Sequence, residues 1–119
     1  MPRATNAPAS RRRRRRVLKQ ARGYRGGRSK RYRQAAEAVD RAMALGTAHR
    51  RAKKRDYRSL WIVRISAACR RHGLNYSRFM QGLARAGIAL NRKMLSEIAI
   101  NDPAGFETLA GRARAAVAG

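Results

Sequence analysis

The chain has 119 residues, 30 of them Lys or Arg and 6 Asp or Glu, for a formal net charge of +24. A compact state with that excess repels itself unless anions neutralise it, which excludes an ordinary free-standing enzyme as the first reading and points to a polyanionic partner. The hydrophobic share of 44% overstates the core, because 23 of those residues are Ala and only 19 are Leu, Ile, Val or Phe.

Both charge and apolar content are unevenly spread. Residues 1–60 carry 21 basic and 3 acidic groups; residues 61–119 carry 9 and 3. Before residue 60 the only large aliphatic or Phe residues are Val17, Leu18, Val39 and Leu45; the other fifteen follow. The pattern therefore predicts a basic arm and long-helix segment over 1–58, largely without its own core. It predicts a small globular helical domain over 59–119, a size that is marginal alone.

Met1 to Ala9, with two prolines and small residues, reads as a tail. Ser10 is placed to N-cap a short helix through Arg11–Ala21. Six adjacent arginines repel one another, so this helix is expected only once phosphates screen it. Gly23, Gly26 and Gly27 then break the pattern. In Arg22–Arg28 glycine, arginine and Tyr24 interleave. Glycine permits positive φ and close approach to a phosphate, and tyrosine can stack on a base. A flexible basic linker explains the same stretch equally well.

Ser29 is placed to cap a helix from about Lys30 to Leu45, with Gly46-Thr47 as a kink or break. A second helical pattern runs from about Ala48 to Arg71. Its residues Arg50, Arg51, Lys53, Lys54, Arg55 and Arg58 spread over roughly 200° of a helical wheel, too broad for an ordinary solvated amphipathic helix. Further on, Tyr57, Trp61, Ile65 and Ala68 share a face, which makes Trp61 a core residue rather than a base-stacking one. Gly73 is a helix stop.

Three short helices complete the chain. Asn75 or Ser77 caps the first, which turns Phe79, Met80, Leu83 and Ala84 inward and stops near Gly87. Asn91 caps the second, with a Leu90–Leu95 staple and Met94 and Ile98 on the same face. Asp102-Pro103 starts the third, with Phe106, Leu109, Ala110, Ala113 and Val117 at helical spacing. No hairpin signal occurs, so the fold class is all-α: an extended basic N-terminal arm and a long kinked helix leading into a small C-terminal helical domain.

No catalytic constellation stands out. Glu37 and Asp40 lie among arginines and read as helix-stabilising pairs. His49 and His72 have no metal-spaced partners, so neither a metal nor any cofactor is expected. The lone Cys69 sits in an apolar helical stretch and reads as a buried, inert thiol, which suits a reducing compartment. No apolar run reaches membrane-spanning length, and no small-molecule substrate is indicated. An Arg-rich, acid-free start also suits an organelle transit peptide, but the basic run continues without a break, so the expected location is the cytoplasm. Of the 30 basic residues 25 are Arg, whose fork matches phosphate oxygens.

The residues also resemble a known family, the L-twenty family of bacterial large-subunit ribosomal proteins. The likeness spans about Val17 to Ala118. It rests on Leu18–Ser29, on the basic run Arg50–Arg58 leading into Leu60-Trp61-Ile62-Val63-Arg64-Ile65, on Asn75–Met80 and on Asn91–Leu95. Ser66 stands where the family usually has asparagine, Thr47-Ala48-His49 replaces a typical Tyr-Arg-Asp, and residues 4–16 are more uniformly arginine than usual.

The resemblance implies a non-enzymatic constituent of the large ribosomal subunit. It implies direct binding of large-subunit ribosomal RNA early in assembly, neighbouring ribosomal proteins as further partners, and in some members repression of their own messenger RNA. The expected RNA-binding residues are Arg11, Arg12, Arg13, Arg14, Arg15, Arg16, Lys19, Arg22, Gly23, Tyr24, Arg25, Gly26, Arg28, Lys30, Arg31 and Arg33 in the arm. On the long helix they are Arg50, Arg51, Lys53, Lys54, Arg55, Arg58 and Arg64. A DNA-compacting nucleoid protein is the alternative that composition alone allows, and a small RNA-cleaving enzyme is a third.

Overall fold

The structure is a computed structural model that describes residue 3 and residues 5–119. Of the expected tail, Met1, Pro2 and Ala4 lie outside the described residues. Among the described residues there are six α-helices and no strand. They are α1 (Ala7–Gln20), α2 (Gly27–Lys30), α3 (Tyr32–Arg71), α4 (Tyr76–Arg85), α5 (Arg92–Asn101) and α6 (Pro103–Ala118). The chain divides into two compact units, one up to Arg51 and one from Ala52 to Gly119.

In the first unit α1 begins earlier than Ser10. Asn6 precedes it without a side-chain cap, and Pro8 lies in the first turn. Proline's fixed φ suits that position, where its missing N–H costs nothing. Ser29 does not cap a long helix either: its hydroxyl donates to the carbonyl of Gly26 at 2.9 Å. The chain makes the four-residue α2, turns extended at Arg31 (φ −85°, ψ 118°), and re-enters helix at Tyr32.

The arm also has a small core that its composition did not announce. Ala21, Ala35 and Val39 are buried, and Val17, Leu18 and Tyr24 pack on them. Two of the three buried residues are alanines, Ala21 just after α1 and Ala35 on α3, so Val39 is the one large side chain this small core buries. The guanidinium of Arg14 lies 5.7 Å from the centre of the Tyr32 ring, within cation–π range.

The expected break at Gly46-Thr47 is absent; α3 runs unbroken through both. A helical glycine costs only about 1 kcal/mol relative to alanine. Thr47 also returns its hydroxyl to the carbonyl of Met43 at 3.2 Å, one turn back, which satisfies the group without leaving the helix. Arg50 then donates to that hydroxyl at 3.1 Å.

The second unit is built around Ile65, Cys69, Phe79, Leu83, Leu95, Phe106, Ala110 and Ala113. Phe79 and Phe106 stack with centroids 5.1 Å apart, and His72 lies 5.9 Å from Phe106. Local chemistry sets every helix end. Gly73 (φ +69°) and Gly87 (φ +70°) close α3 and α4 in the left-handed conformation. In each case the following amide reaches back five residues, Leu74 to Cys69 at 3.0 Å and Ile88 to Leu83 at 2.9 Å. Asn75, Asn91 and Asp102 accept from the amides of Arg78, Met94 and Gly105 at 2.8, 2.9 and 2.9 Å. Leu90 and Leu95 both join the core, as the staple requires. Arg114 of α6 donates to the carbonyl of His72 just beyond α3, and Arg92 donates to the Tyr76 hydroxyl at 2.7 Å.

Three inward assignments differ from expectation. Ala84 is exposed and Gly82 is buried instead. An added Cβ at Gly82 would overlap the backbone of Ala113, so α4 meets α6 at van der Waals distance there. Met94 is half-exposed, while Ser96 is fully buried with no hydrogen-bond partner for its hydroxyl among the described residues. Trp61 is only partly buried and lies outside the core cluster. It pairs with exposed Tyr57 at 6.1 Å. Cys69 is buried as expected, and that burial pushes its thiol up to about 11.

Candidate nucleic-acid interface

In the first unit the cations sit on the outside of a thin helical scaffold. Arg11 to Arg16 occupy six consecutive positions of α1, so they project around more than one full turn. All six are exposed. Lys19, Arg22, Arg25, Arg28, Lys30, Arg31, Arg33, Arg50 and Arg51 are exposed as well. The whole expected set of arm cations is therefore free to meet solvent or a ligand.

The glycine loop has the geometry its residue types suggested. Gly23 (φ +86°) and Gly26 (φ +66°) both adopt positive φ, and no atom lies within 4 Å of where a Cβ would stand. Conformation, and not crowding within the chain, demands glycine there. Tyr24 between them is half-buried against Ala21, Ala35 and Val39. The expectation of a free stacking ring is thus modified: part of the ring serves the arm's own core.

Beside this loop lies an open groove of about 850 Å³. Tyr24, Arg25 and Arg28 form one side; Gln34, Glu37, Ala38, Arg41, Ala42 and Leu45 of α3 form the other. The residues from α3 recur every three or four positions and so share one helix face. Glu37, expected in a helix-stabilising pair, makes no salt bridge among the described residues. Gln34, Glu37 and Arg41 are the members that composition and charge runs did not single out. Their i, i+3, i+7 spacing was the available signal.

In the second unit Lys53, Lys54, Arg55 and Arg58 are exposed on α3, and Arg64 is partly buried. The Lys53 ammonium lies 5.7 Å from the centre of the Tyr57 ring. Tyr57, Leu60 and Val63 are exposed too, so apolar surface adjoins the cations on this part of the helix. Among the described residues no group of three His, Cys, Asp or Glu is placed to hold a metal. No helix among them is long and apolar enough to cross a membrane.

Helices bristling with exposed arginine around small cores describe a basic, all-helical structural protein. Comparison with known proteins gives the particular family. The family described as ribosomal protein L20 matches residues 3–109. "Large ribosomal subunit protein bL20" of Opitutus terrae is 56% identical over 117 residues, covering 98% of this chain and 92% of that protein. The protein of the same name from Syntrophotalea carbinolica is 56% identical over 115 residues, covering 97% and 98%. That from Chlamydia trachomatis is 56% identical over 117 residues, covering 98% and 95%. The chain belongs to the ribosomal protein L20 family. It is a non-enzymatic structural protein of the large ribosomal subunit, located in the ribosome in the cytoplasm.

Proposed function

We propose that the chain binds large-subunit ribosomal RNA directly and acts early in subunit assembly, before the RNA around it has closed. The observation that carries this reading is the exposure of every expected arm cation, on the helices and on the segments between them, with almost no compensating acid. Residues 1–36 hold 14 basic groups and no acidic one. Such a surface is costly to compact in water and is stabilised by phosphates that release their counterions when it binds. The arm cations Arg11 to Arg16, Lys19, Arg22, Arg25, Arg28, Lys30, Arg31 and Arg33 neutralise phosphates. On α3, Arg50, Arg51, Lys53, Lys54, Arg55, Arg58 and Arg64 do the same. Gly23 and Gly26 let backbone approach the ribose-phosphate chain.

Neighbouring large-subunit proteins are further partners in this reading. A messenger segment that mimics the ribosomal site would compete for the same surface, and repression of the protein's own messenger RNA would follow from that competition. Sedimentation of cell extract tests the central part. The protein is expected in the large-subunit fraction and in its assembly precursors at moderate salt. Its absence from both contradicts the proposal. Competition between duplex DNA and ribosomal RNA separates this function from DNA compaction, and a preference for DNA would favour the latter.

A further inference from the structure

We propose that the groove beside the glycine loop holds one unstacked guanine nucleotide of the bound RNA. This rests on the RNA-binding function proposed above and names what one of its sites recognises. Three observations support it. The groove's volume, about 850 Å³, falls in the ~300–1,000 Å³ range of small-ligand clefts. Its lining combines an aromatic ring, Tyr24, with three guanidinium groups, Arg25, Arg28 and Arg41. That is the pairing of stacking surface and phosphate ligands on which single-stranded bases are held. Third, a carboxylate stands in it.

Glu37 is the telling residue. A surface meant only for phosphate gains nothing from a negative charge, and Glu37 is not spent on an ion pair among the described residues. A carboxylate is an acceptor with two oxygens. Guanine alone among the four RNA bases presents two adjacent donors, N1–H and the N2 amine, on its Watson–Crick edge, and these match a carboxylate side by side. Uracil offers one N–H flanked by two carbonyl oxygens, which the carboxylate repels. Gln34 lies one turn before Glu37 on the same face and lines the same groove. Its amide carries the N–H donors that O6 would accept. Arg25, Arg28 and Arg41 take the flanking phosphates, and the accessible face of Tyr24 stacks on the base.

The test uses the full-length protein with two short probes at moderate salt: oligouridine, and the same oligomer with one central guanosine. The guanosine oligomer is expected to bind about tenfold tighter, the scale of a good bidentate base contact. Glu37→Gln is expected to erase that preference by weakening the guanosine oligomer relative to oligouridine. Glu37 is exposed, so the variant is expected to keep its helices, which circular dichroism checks. Equal binding of the two oligomers by the unmodified protein overturns the proposal. So does a preference that survives Glu37→Gln, or a variant that binds both oligomers more tightly to the same degree, which would make Glu37 a mere repulsive charge. If the unmodified protein binds neither oligomer nor large-subunit RNA, the RNA-binding function itself fails; if it binds large-subunit RNA without base preference, only the groove assignment fails.

Discussion

The two units solve the same problem with opposite means. The unit from Ala52 holds its helices with a cluster of eight buried hydrophobic residues, two stacked phenylalanines among them, and a cap or left-handed glycine at nearly every turn. Among its described residues the unit up to Arg51 has three buried ones, two of them alanine, under a shell of largely uncompensated arginine. Burying a large apolar side chain stabilises by about 1.5–3 kcal/mol, so only the second unit has the means to stand without a partner. The first has its favourable interactions on the outside, where an anion must supply them. The proposed RNA binding would gain from this division: one part would arrive folded, and the other would take its stability from the surface it binds.

The largest expected effect breaks the outward-facing half of that contrast. Replacing Arg11 to Arg16 together by Gln should lower affinity for large-subunit RNA by about 10³–10⁵-fold at low salt and flatten the salt dependence. It should not change the melting of the second unit. Filter binding across a salt series measures the first, and calorimetry the second.

The next substitution strikes the inward-facing half. Phe79→Ala removes a ring stacked on Phe106 and should cost about 3–5 kcal/mol of unfolding free energy, read from denaturant titration of helical signal. Gly82→Ala should cost about 1–3 kcal/mol through overpacking, since the new methyl meets backbone of α6 and not a side chain that can swing away. Ser96→Ala has the opposite sign. Deleting a buried hydroxyl without a partner should raise stability by about 1 kcal/mol, seen as a higher melting temperature.

The caps show why much of the second unit was legible in its sequence. Asn75, Asn91 and Asp102 satisfy amides three residues away, and Gly73 and Gly87 answer a demand for positive φ. Such signals are local, so residue order suffices to read them. What escaped was set at a distance. Gly82 lies buried because α6 presses on it, and Trp61 stays at the surface although Ile65, one turn on, reaches the core. In the arm, α1 starts at Ala7 because a proline suits a first turn as well as a cap does. The α3 helix crosses Gly46 because Thr47 bonds back to Met43. The groove was missed for a different reason: Gln34, Glu37 and Arg41 share a helical period, but only the fold sets Tyr24 and Arg28 opposite them.

Amide hydrogen exchange, residue by residue, with and without a large-subunit RNA fragment, tests the central claim most directly. In the free protein the account predicts rapid exchange over Ala7–Gln20 and the first turns of α3, beside slow exchange over α4 to α6. On binding RNA the arm should become protected while α4 to α6 change little. Equal protection of the arm without RNA would contradict the account, as would an arm that stays unprotected when RNA is bound.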